Sequence, residues 1–438
     1  MIKLLKKLSP ARLIALGFIS VILLGSALLM LPWSTNEGVE INYIDALYTS
    51  TSAVCVTGLV VVDVGTAFTP FGQFIIATLI QIGGLGVATI GALIILAMGK
   101  KINIRGRNLI REASNLGSGK GIVKFIRSVF LTTITIELIG AILSFIVFVK
   151  DYPPHEALGI SIFHSIAAFN NAGFDNLGLS GDIYSNVSLI PYQDNLLLNF
   201  STCGLIFFGG IGFLVIRDVI DKRGNWKKLS MHSKVVLTMS IGLIVIGTLL
   251  IKLTEDVSWL GAFFYSISVR TAGFSTYNLG TFSNAGLLVL TVLMFIGASP
   301  GSTGGGIKTT TVFVIFQGIK SAATNKSEKA IRYAIPQGAF KKAAVIALIA
   351  LSVVFVGTLL MVIMEPELRM IDALFEVTSA VGTVGFSTGI TGNLSIGSKI
   401  LTIILMYIGR LGPLTIASLW HFNKVERAEY PEGNITVG

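Results

Sequence analysis

Long apolar runs separated by short polar segments dominate the chain. A helix rises 1.5 Å per residue, so about 20 apolar residues cross the ~30 Å hydrocarbon core of a bilayer. Runs of this kind lie at 11–32, 71–98, 126–150, 197–216, 233–252, 285–320, 341–364 and 397–421. The pattern predicts eight membrane-spanning helices. We interpret the first run as a retained helix, because it has no small-residue cleavage site of a signal peptide.

A shorter apolar stretch lies between the two spans of each successive pair, and a helix of about ten residues covers only half of the bilayer. The copy at 372–386, DALFEVTSAVGTVGF, matches 45–59, DALYTSTSAVCVTGL, at eight of fifteen positions, and weaker copies end at Gly173 and Gly273. This repetition predicts an all-α polytopic membrane protein with four tandem helix–pore-helix–helix units and pseudo-fourfold symmetry around a central ion pore. We place the pore repeats at 1–99, 100–217, 218–320, where the second helix is broken, and 321–438, which includes the C-terminal tail.

Composition excludes several classes of protein. Hydrophobic residues make up 53% of the chain, charged residues 13%, and the mean hydropathy is +0.79, too apolar for soluble domains. The net charge of +10 does not indicate nucleic-acid binding, because the basic residues lie in short loops. Those loops are suited to anionic membrane lipid. Most of the 33 Lys and Arg residues lie at the termini or after each second span, which predicts a multi-pass cell-membrane protein with both termini in the cytoplasm.

The histidines and cysteines indicate no metal or cofactor site. The four histidines have no ligand spacing, and Cys55 and Cys203 lie in apolar segments where packing is their expected role. We therefore predict no cofactor.

The four loops that follow the short helices form the candidate ion site. Irregular backbone at membrane depth must be buried in protein or line water, so four loops entering from one side must face a shared axis. The negative C-terminal ends of four helices favour a cation there, and loop carbonyls can replace its hydration shell. One glycine alone is explained by helix termination, whereas four at equivalent positions favour a filter. The predicted K+ filter residues are Val56, Thr57, Gly58, Asn171, Ala172, Gly173, Thr271, Ala272, Gly273, Thr383, Val384 and Gly385.

The sixth span is interrupted at 297–308 by GASPGSTGGGIK. So many Gly, Ser and Pro residues do not hold a helix across a bilayer, so the segment must lie in a protein-lined or wet cavity below the filter. A phosphate-binding loop is excluded because Ile307 separates Gly306 from Lys308, and a packing kink is the remaining alternative. The residues assigned to this second site are Gly297, Ser299, Gly301, Ser302, Thr303, Gly304, Gly305, Gly306, Lys308 and Arg410.

Charged and polar residues near these loops carry separate predictions. Arg410 lies in the middle of a span and needs a partner such as Glu137 in the third span. Lys308 near the axis would raise a barrier to passing ions. We expect Arg270, Asn170 and Asn171 to brace the loops by hydrogen bonds rather than to contact the ion.

As a set, these motifs resemble the Trk/Ktr/HKT potassium transporters, and most closely the Ktr-type membrane subunit of bacteria. The motifs are VTGL at 56–59, NNAGF at 170–174, RTAGF at 270–274, TVGF at 383–386 and IGRLGP at 408–413. The resemblance implies potassium selectivity, since the family pairs this with glycine in all four loops. It also implies that 297–306 is an intramembrane gating loop and that its carbonyls are a second candidate partner for Arg410. Its further implications are a homodimer contacted by the C-terminal tail, a cytosolic ring of nucleotide-binding, RCK-type regulatory subunits, and Na+ as a candidate activator.

We therefore expect a potassium-uptake subunit with one pore per chain that conducts ions down their electrochemical gradient and catalyses no reaction. The alternative is an ion-coupled secondary transporter of another monovalent cation such as Na+, although such proteins usually contain inverted repeats and the four repeats here share one orientation. A membrane enzyme would need paired carboxylates or a His/Cys site within the spans, which Glu137 alone does not supply. A scaffold would leave the four loops unexplained.

Overall fold

Helices make up most of the structure. The computed structural model describes residues 8–99, 101–102, 104–113, 121–178, 187–331, 333–412 and 415. The first unit contains α1 (Pro10–Leu29), α2 (Tyr43–Val54), α3 (Val64–Ala67), α4 (Pro70–Leu85) and α5 (Val87–Ala97). The second contains α6 (Ile104–Ala113), α7 (Ile122–Phe148), α8 (Pro154–Phe169), a 3₁₀ turn (Ile190–Tyr192), α9 (Leu196–Ile211) and α10 (Phe213–Asp221).

The last two units follow the same plan. After a 3₁₀ turn (Trp226–Lys228), the third contains α11 (Met231–Thr254), α12 (Trp259–Ser268), a 3₁₀ turn (Leu279–Thr281), α13 (Asn284–Phe295) and α14 (Thr309–Thr324). A two-residue hairpin, β1 (Lys329–Ala330) and β2 (Tyr333–Ala334), is antiparallel. The fourth unit contains α15 (Ala339–Met364), α16 (Met370–Gly382), a 3₁₀ turn (Thr391–Asn393) and α17 (Ile396–Leu411).

The prediction of eight spans, of which only the sixth is interrupted, is wrong for the second spans of the first and second units, because each of these is a bent pair of helices. Within the described ranges, α1, α7, α11 and α15 are long and apolar enough to cross a membrane, or six spans if each bent pair counts as one. The pair α4 and α5 bends by 100°, and α9 and α10 by 95°. Gly86 and Gly212 stand at the bends with φ of +85° and +90°, in the left-handed region that ends a helix. Gly412, with φ of +85°, ends α17 in the same way.

The predicted interruption of the sixth span is confirmed. Residues 297–308 separate α13 from α14, and a parallel bridge between Ile296 and Ile307 closes the neck of this loop. The IGRLGP motif is described as far as Gly412, and the C-terminal tail at 416–438 lies outside the described residues.

Four equivalent glycines explain how each first span packs on its short helix. Gly25 in α1 faces Ser50, and Gly140, Gly247 and Gly357 take the same place in α7, α11 and α15 against Ser165, Ser266 and Val377. A side chain at any of these positions would meet the short helix, so glycine permits close approach.

The short helices α2, α8, α12 and α16 lie at the centre of the protein. Tyr48, Phe169, Phe264 and Phe375 are fully buried in them. The first spans instead expose apolar side chains such as Leu138, at 60% exposure. An apolar outer face around a buried centre is the arrangement expected of a protein that has lipid as its solvent.

Each second span begins at a side-chain cap. Thr69, Asn195, Ser283 and Ser395 each accept a hydrogen bond from the backbone N–H three residues later. Such caps satisfy one of the free N–H groups at a helix start. The loop that follows each short helix is therefore held between a buried helix and a capped one.

Candidate ion pathway

The four loops share an unusual backbone conformation. Two residues with positive φ flank one with negative φ in each loop: Val56 and Gly58 at +51° and +91°, Asn171 and Gly173 at +58° and +65°, Thr271 and Gly273 at +88° and +80°, and Thr383 and Gly385 at +51° and +97°. A left-handed conformation is an outlier for a β-branched residue and costs about 1–3 kcal/mol. Such strain persists only where the surroundings enforce it, which is typical of a functional site.

Hydrogen bonds from the short helices fix these conformations. The N–H groups of Thr57, Ala172 and Val384 donate to the carbonyl five residues earlier at 2.8–2.9 Å. Ser52 and Ser379 occupy the same place in the shared TSAV string, and each hydroxyl accepts from the loop glycine, Gly58 or Gly385, at 3.0 Å. The first and fourth loops are therefore braced identically.

The four glycines interlock the loops into a closed ring. A Cβ on Gly58 would collide with the carbonyl oxygen of Ala172, and one on Gly173 with that of Ala272. In the same way Gly273 lies against the carbonyl oxygen of Val384, and Gly385 against that of Thr57. Each glycine thus faces the carbonyl that precedes the glycine of the next unit, and the fourth unit closes on the first. This is the fourfold arrangement that the repeats predict.

The segment at 297–308 lies directly against the ring. The N–H of Gly305 donates to the hydroxyl of Thr383 at 3.1 Å, and the hydroxyl of Thr303 donates to the carbonyl of Phe169 at 3.2 Å. A Cβ on Gly304 would meet the side chain of Thr271. Glycines therefore let this segment approach Thr383 and Thr271 of two loops closely.

Backbone bonds attach the same segment to the bend between α9 and α10. Ser299 and Thr303 donate N–H groups to the carbonyls of Gly210 and Gly209, and Phe213 donates back to Gly301. The segment therefore packs into the bend at Gly212, where a Cβ would approach the carbonyl of Pro300. A straight second span would leave no room for it.

Two cationic side chains bind backbone carbonyls of the segment at 297–308. The Lys308 ammonium donates to the carbonyls of Gly304 at 2.8 Å and Gly305 at 3.1 Å. The Arg410 guanidinium donates to the carbonyls of Thr303, Gly83 and Gly84. Loop carbonyls are thus confirmed as partners of Arg410.

A cavity of about 240 Å³ lies beside these cations, near the ends of α1 and α7 where those helices begin. Gly86, Ser302, Gly306, Lys308 and Arg410 are among its lining residues. The segment therefore lies between the ring of loops and a cavity whose mixed polar and apolar lining includes two cationic side chains.

Comparison with known proteins identifies the family. A model of the TrkH family, described as a cation transport protein, matches residues 14–424. The chain belongs to the TrkH family of cation transport proteins. The chain is 38% identical to the Ktr system potassium uptake protein B of Bacillus subtilis, over 99% of this chain and 97% of that protein. It is 37% identical to the potassium/sodium uptake protein NtpJ of Enterococcus hirae, over 99% of this chain and 98% of that protein.

The fold also resembles a solved member of the family. The crystal structure of the potassium transporter TrkH from Vibrio parahaemolyticus matches with a TM-score of 0.73 and 18% identity, covering 95% of this chain and 86% of that one. These findings confirm the predicted resemblance, the all-α multi-pass membrane fold and the prediction of a transporter rather than an enzyme.

The structure supports the predicted hydrogen-bonding role for some of the residues beside the TrkH-type loops and not for others. Asn170 does so: its amide donates to Gln81 at 2.7 Å and to Glu137 at 3.1 Å. The Asn171 amide lies 3.0 Å from the Thr271 hydroxyl, joining the second loop to the third. Arg270 is buried, but its Nε makes no hydrogen bond among the described residues, so that atom is not the predicted brace. Glu137 is not a partner of Arg410, because its oxygens face Asn170 and Gln81.

Sequence reasoning missed several supporting residues. Ser52 and Ser379 occupy one of the positions that are identical in the first and fourth repeats, and that identity was the available signal. Lys399 at the start of α17 forms an ion pair of 2.7 Å with Asp45 in α2, both nearly buried. This pair joins the fourth unit to the first, and no local pattern indicates it.

Proposed function

We propose that the chain is the ion-conducting subunit of a potassium uptake system and that K+ passes through the ring of four loops. The observation that carries the proposal is the closed ring, in which each glycine lies against a carbonyl of the next loop. Alternating backbone conformations direct carbonyl oxygens at an ion, and carbonyl oxygens replace the hydration shell of K+ in selective filters. The relatives named as potassium uptake proteins support the choice of ion.

Selectivity in this proposal depends on a ring that does not contract. Na+ is smaller than K+, so a filter favours K+ when its carbonyls are kept apart or repel one another at close range. The hydroxyl braces of Ser52 and Ser379 and the interlocked glycines oppose contraction. The C-terminal ends of the four short helices add a negative potential that favours a cation.

The segment at 297–308 is the proposed gate. It lies between the ring and the cavity, and Lys308 and Arg410 fix it there through backbone carbonyls. Opening requires these charge-assisted hydrogen bonds to break, and each is worth about 1.5–3 kcal/mol. The two positive charges also repel a cation leaving the ring, so the closed arrangement blocks passage both sterically and electrostatically.

Orientation and assembly complete the proposal. Both termini lie in the cytoplasm of a cell-membrane protein, which places the cavity, near the start of α1, on the cytoplasmic side. The subunit forms a homodimer, and a cytosolic ring of nucleotide-binding, RCK-type subunits regulates the gate. The word "system" in the names of the Ktr relatives supports a further component. The four repeats remain proposed units with the boundaries given above, and Na+ is a proposed activator.

Growth at low potassium tests the function. Cells that lack their own potassium uptake systems are transformed with the wild-type chain or with Gly58→Ser, each with and without a cytosolic regulatory subunit. We expect rescue by the wild type and none by Gly58→Ser at equal protein level, because a Cβ there collides with the carbonyl of Ala172. Absence of rescue by the wild type with its partner present refutes potassium uptake. Transport of sodium instead of potassium would favour the alternative, which the name of NtpJ supports.

A further inference from the structure

A buried carboxylate in the second unit belongs to neither the proposed filter nor the gate. Glu137 lies in the middle of α7, and the first spans α1, α11 and α15 contain no Asp or Glu. Burying an ionisable side chain in a membrane span costs free energy, and such residues are usually paired and functional. The position of Glu137 in one unit alone therefore requires an explanation that the fourfold repeat does not provide.

Glu137 forms a closed triangle with two amides from other elements. Its Oε1 accepts from the Asn170 amide at 3.1 Å, and its Oε2 accepts from the Gln81 amide at 3.3 Å. The Asn170 amide also donates to Gln81 Oε1 at 2.7 Å, which closes the triangle. Helices α4 and α7 and the end of α8 thus meet at one polar cluster, with partners 56 and 33 residues from Glu137 in sequence.

The hydrogen-bond pattern of the triangle suits an ionised carboxylate. Both oxygens of Glu137 face N–H donors, and an ionised carboxylate is an acceptor only. A protonated carboxyl would instead need one of the two amides turned so that its oxygen accepts the O–H. The observed hydrogen bonds therefore match an ionised Glu137, which accepts on both oxygens.

The triangle lies between the second filter loop and the proposed gate. Asn170 directly precedes Asn171 and Ala172 of the filter. Its amide nitrogen also lies 2.9 Å from the carbonyl of Ile166 in the last turn of α8, so its two hydrogens are shared among three acceptors. The Cα of Gly84 packs on Asn170, since a Cβ there would lie 2.6 Å from Asn170 Cγ. The carbonyl of Gly84 accepts from Arg410 at 3.3 Å. One turn of α4 thus contacts the triangle on one side and the cation that holds the gate on the other.

We propose that Glu137 is a positioning residue for conduction, whose ionised carboxylate fixes Asn170 and thereby sets the cation affinity and selectivity of the second filter loop. The proposal rests on the proposed function. In Glu137→Gln the Asn170 amide faces a neutral amide oxygen in place of a carboxylate. The hydrogen bond that supports the second loop is then no longer charge-assisted and is weaker. The negative charge behind the loop, which offsets the positive Arg410 across α4, is lost at the same time.

A swap of two side chains of equal length tests the proposal. The variants are Glu137→Gln, Gln81→Glu and the double variant, in which carboxylate and amide exchange places within the same triangle. Glu156→Gln is the control, because that carboxylate is exposed at the start of α8 and lies outside the triangle. The readouts are the KM and Vmax of rubidium uptake, the inhibition of uptake by Na+, protein amount and melting temperature.

We expect Glu137→Gln to raise the KM for rubidium about tenfold, equivalent to about 1.4 kcal/mol, and to strengthen inhibition by Na+. The double variant should return the KM to within about twofold of wild type, whereas Gln81→Glu alone should not, because it places two carboxylates side by side. A residue needed only for folding would lower protein amount and Vmax while leaving KM and inhibition by Na+ unchanged.

Two results would overturn the proposal. One is an unchanged KM and unchanged inhibition by Na+ in Glu137→Gln. The other is a double variant that is well folded but no closer to wild type than the singles. If Glu137→Gln does not fold, the double variant decides alone, because it retains one carboxylate and two amides. Failure of the wild type to take up rubidium would instead refute the proposed function, so the two failures are distinguishable.

Discussion

Adding one methyl group at Gly385 separates the ring hypothesis from ordinary backbone strain. Gly385 has φ of +97° and Gly389, four residues later, has φ of +96°. A Cβ on Gly385 would meet the carbonyl oxygen of Thr57 and lie 3.0 Å from the Cα of Gly58, whereas a Cβ on Gly389 would have nothing within 4 Å. The variants Gly385→Ala and Gly389→Ala therefore place alanine at the same unfavourable φ, and only Gly385→Ala also makes a steric clash with the first loop.

The expected loss of stability has two parts, the backbone strain and the steric clash. An L-residue in this backbone region costs about 1–2 kcal/mol, and both variants should lose about that much stability. Gly385→Ala must also push the fourth loop away from the first, and overpacking of this kind adds about 1–3 kcal/mol. Because the displaced carbonyls belong to the ring, its affinity for rubidium should fall at least about tenfold.

Rubidium uptake at equal protein level and melting temperature in detergent measure the two effects. We expect Gly389→Ala to lose stability while keeping the wild-type KM, and Gly385→Ala to lose both. Equal loss of uptake in the two variants would show that strain explains the effect. Wild-type affinity in Gly385→Ala would show that the glycine ring is not on the ion path.

Three further perturbations test other parts of the structure. Arg410→Gln removes the cation that binds the carbonyl of Thr303 in the segment at 297–308, the proposed gate. That hydrogen bond is worth about 1.5–3 kcal/mol, so uptake without regulatory subunits should rise about tenfold or more. Unchanged uptake would show that Arg410 does not hold the segment closed. Lys399→Met should destabilise the protein by about 3–5 kcal/mol because it leaves Asp45 buried and unpaired. Adding Asp45→Asn should recover part of the melting temperature, and no recovery would contradict the pair. Partial burial disfavours the charge of Glu365, but the hydrogen bonds that it accepts at the start of α17 outweigh this and lower its pKa. Glu365→Gln should therefore reduce thermal stability at neutral pH, and its difference from wild type should vanish as the pH falls below about 4.3; a difference that persists in acid would contradict the assignment.

The sequence predicted those parts of the fold that a repeat or a composition reveals. Four loops with glycine at equivalent positions follow from comparing segments of one chain, and the density of Gly, Ser and Pro at 297–308 excludes a helix there. Both features can be read from short segments of the sequence without knowing which segments meet in space.

Other features depend on geometry that no local pattern contains. The apolar run at 71–98 continues through the bend at Gly86, so hydropathy reads a bent pair of helices as one span. The pair of Lys399 and Asp45 joins residues 354 apart because a ring brings the last unit beside the first. The sequence offered Glu137 only as a candidate partner of Arg410. Its actual partners lie on two other elements, and proximity in space was needed to find them.

Competition between ions for one uptake pathway tests the central claim most directly. Cells lacking other potassium uptake systems express the chain with its cytosolic partner, and rubidium uptake is measured against increasing K+ or Na+. A filter of carbonyls held apart predicts that K+ inhibits at concentrations at least about tenfold below those of Na+. Equal inhibition by the two ions, or rubidium uptake no greater than in cells without the chain, would contradict a potassium pathway through the four loops.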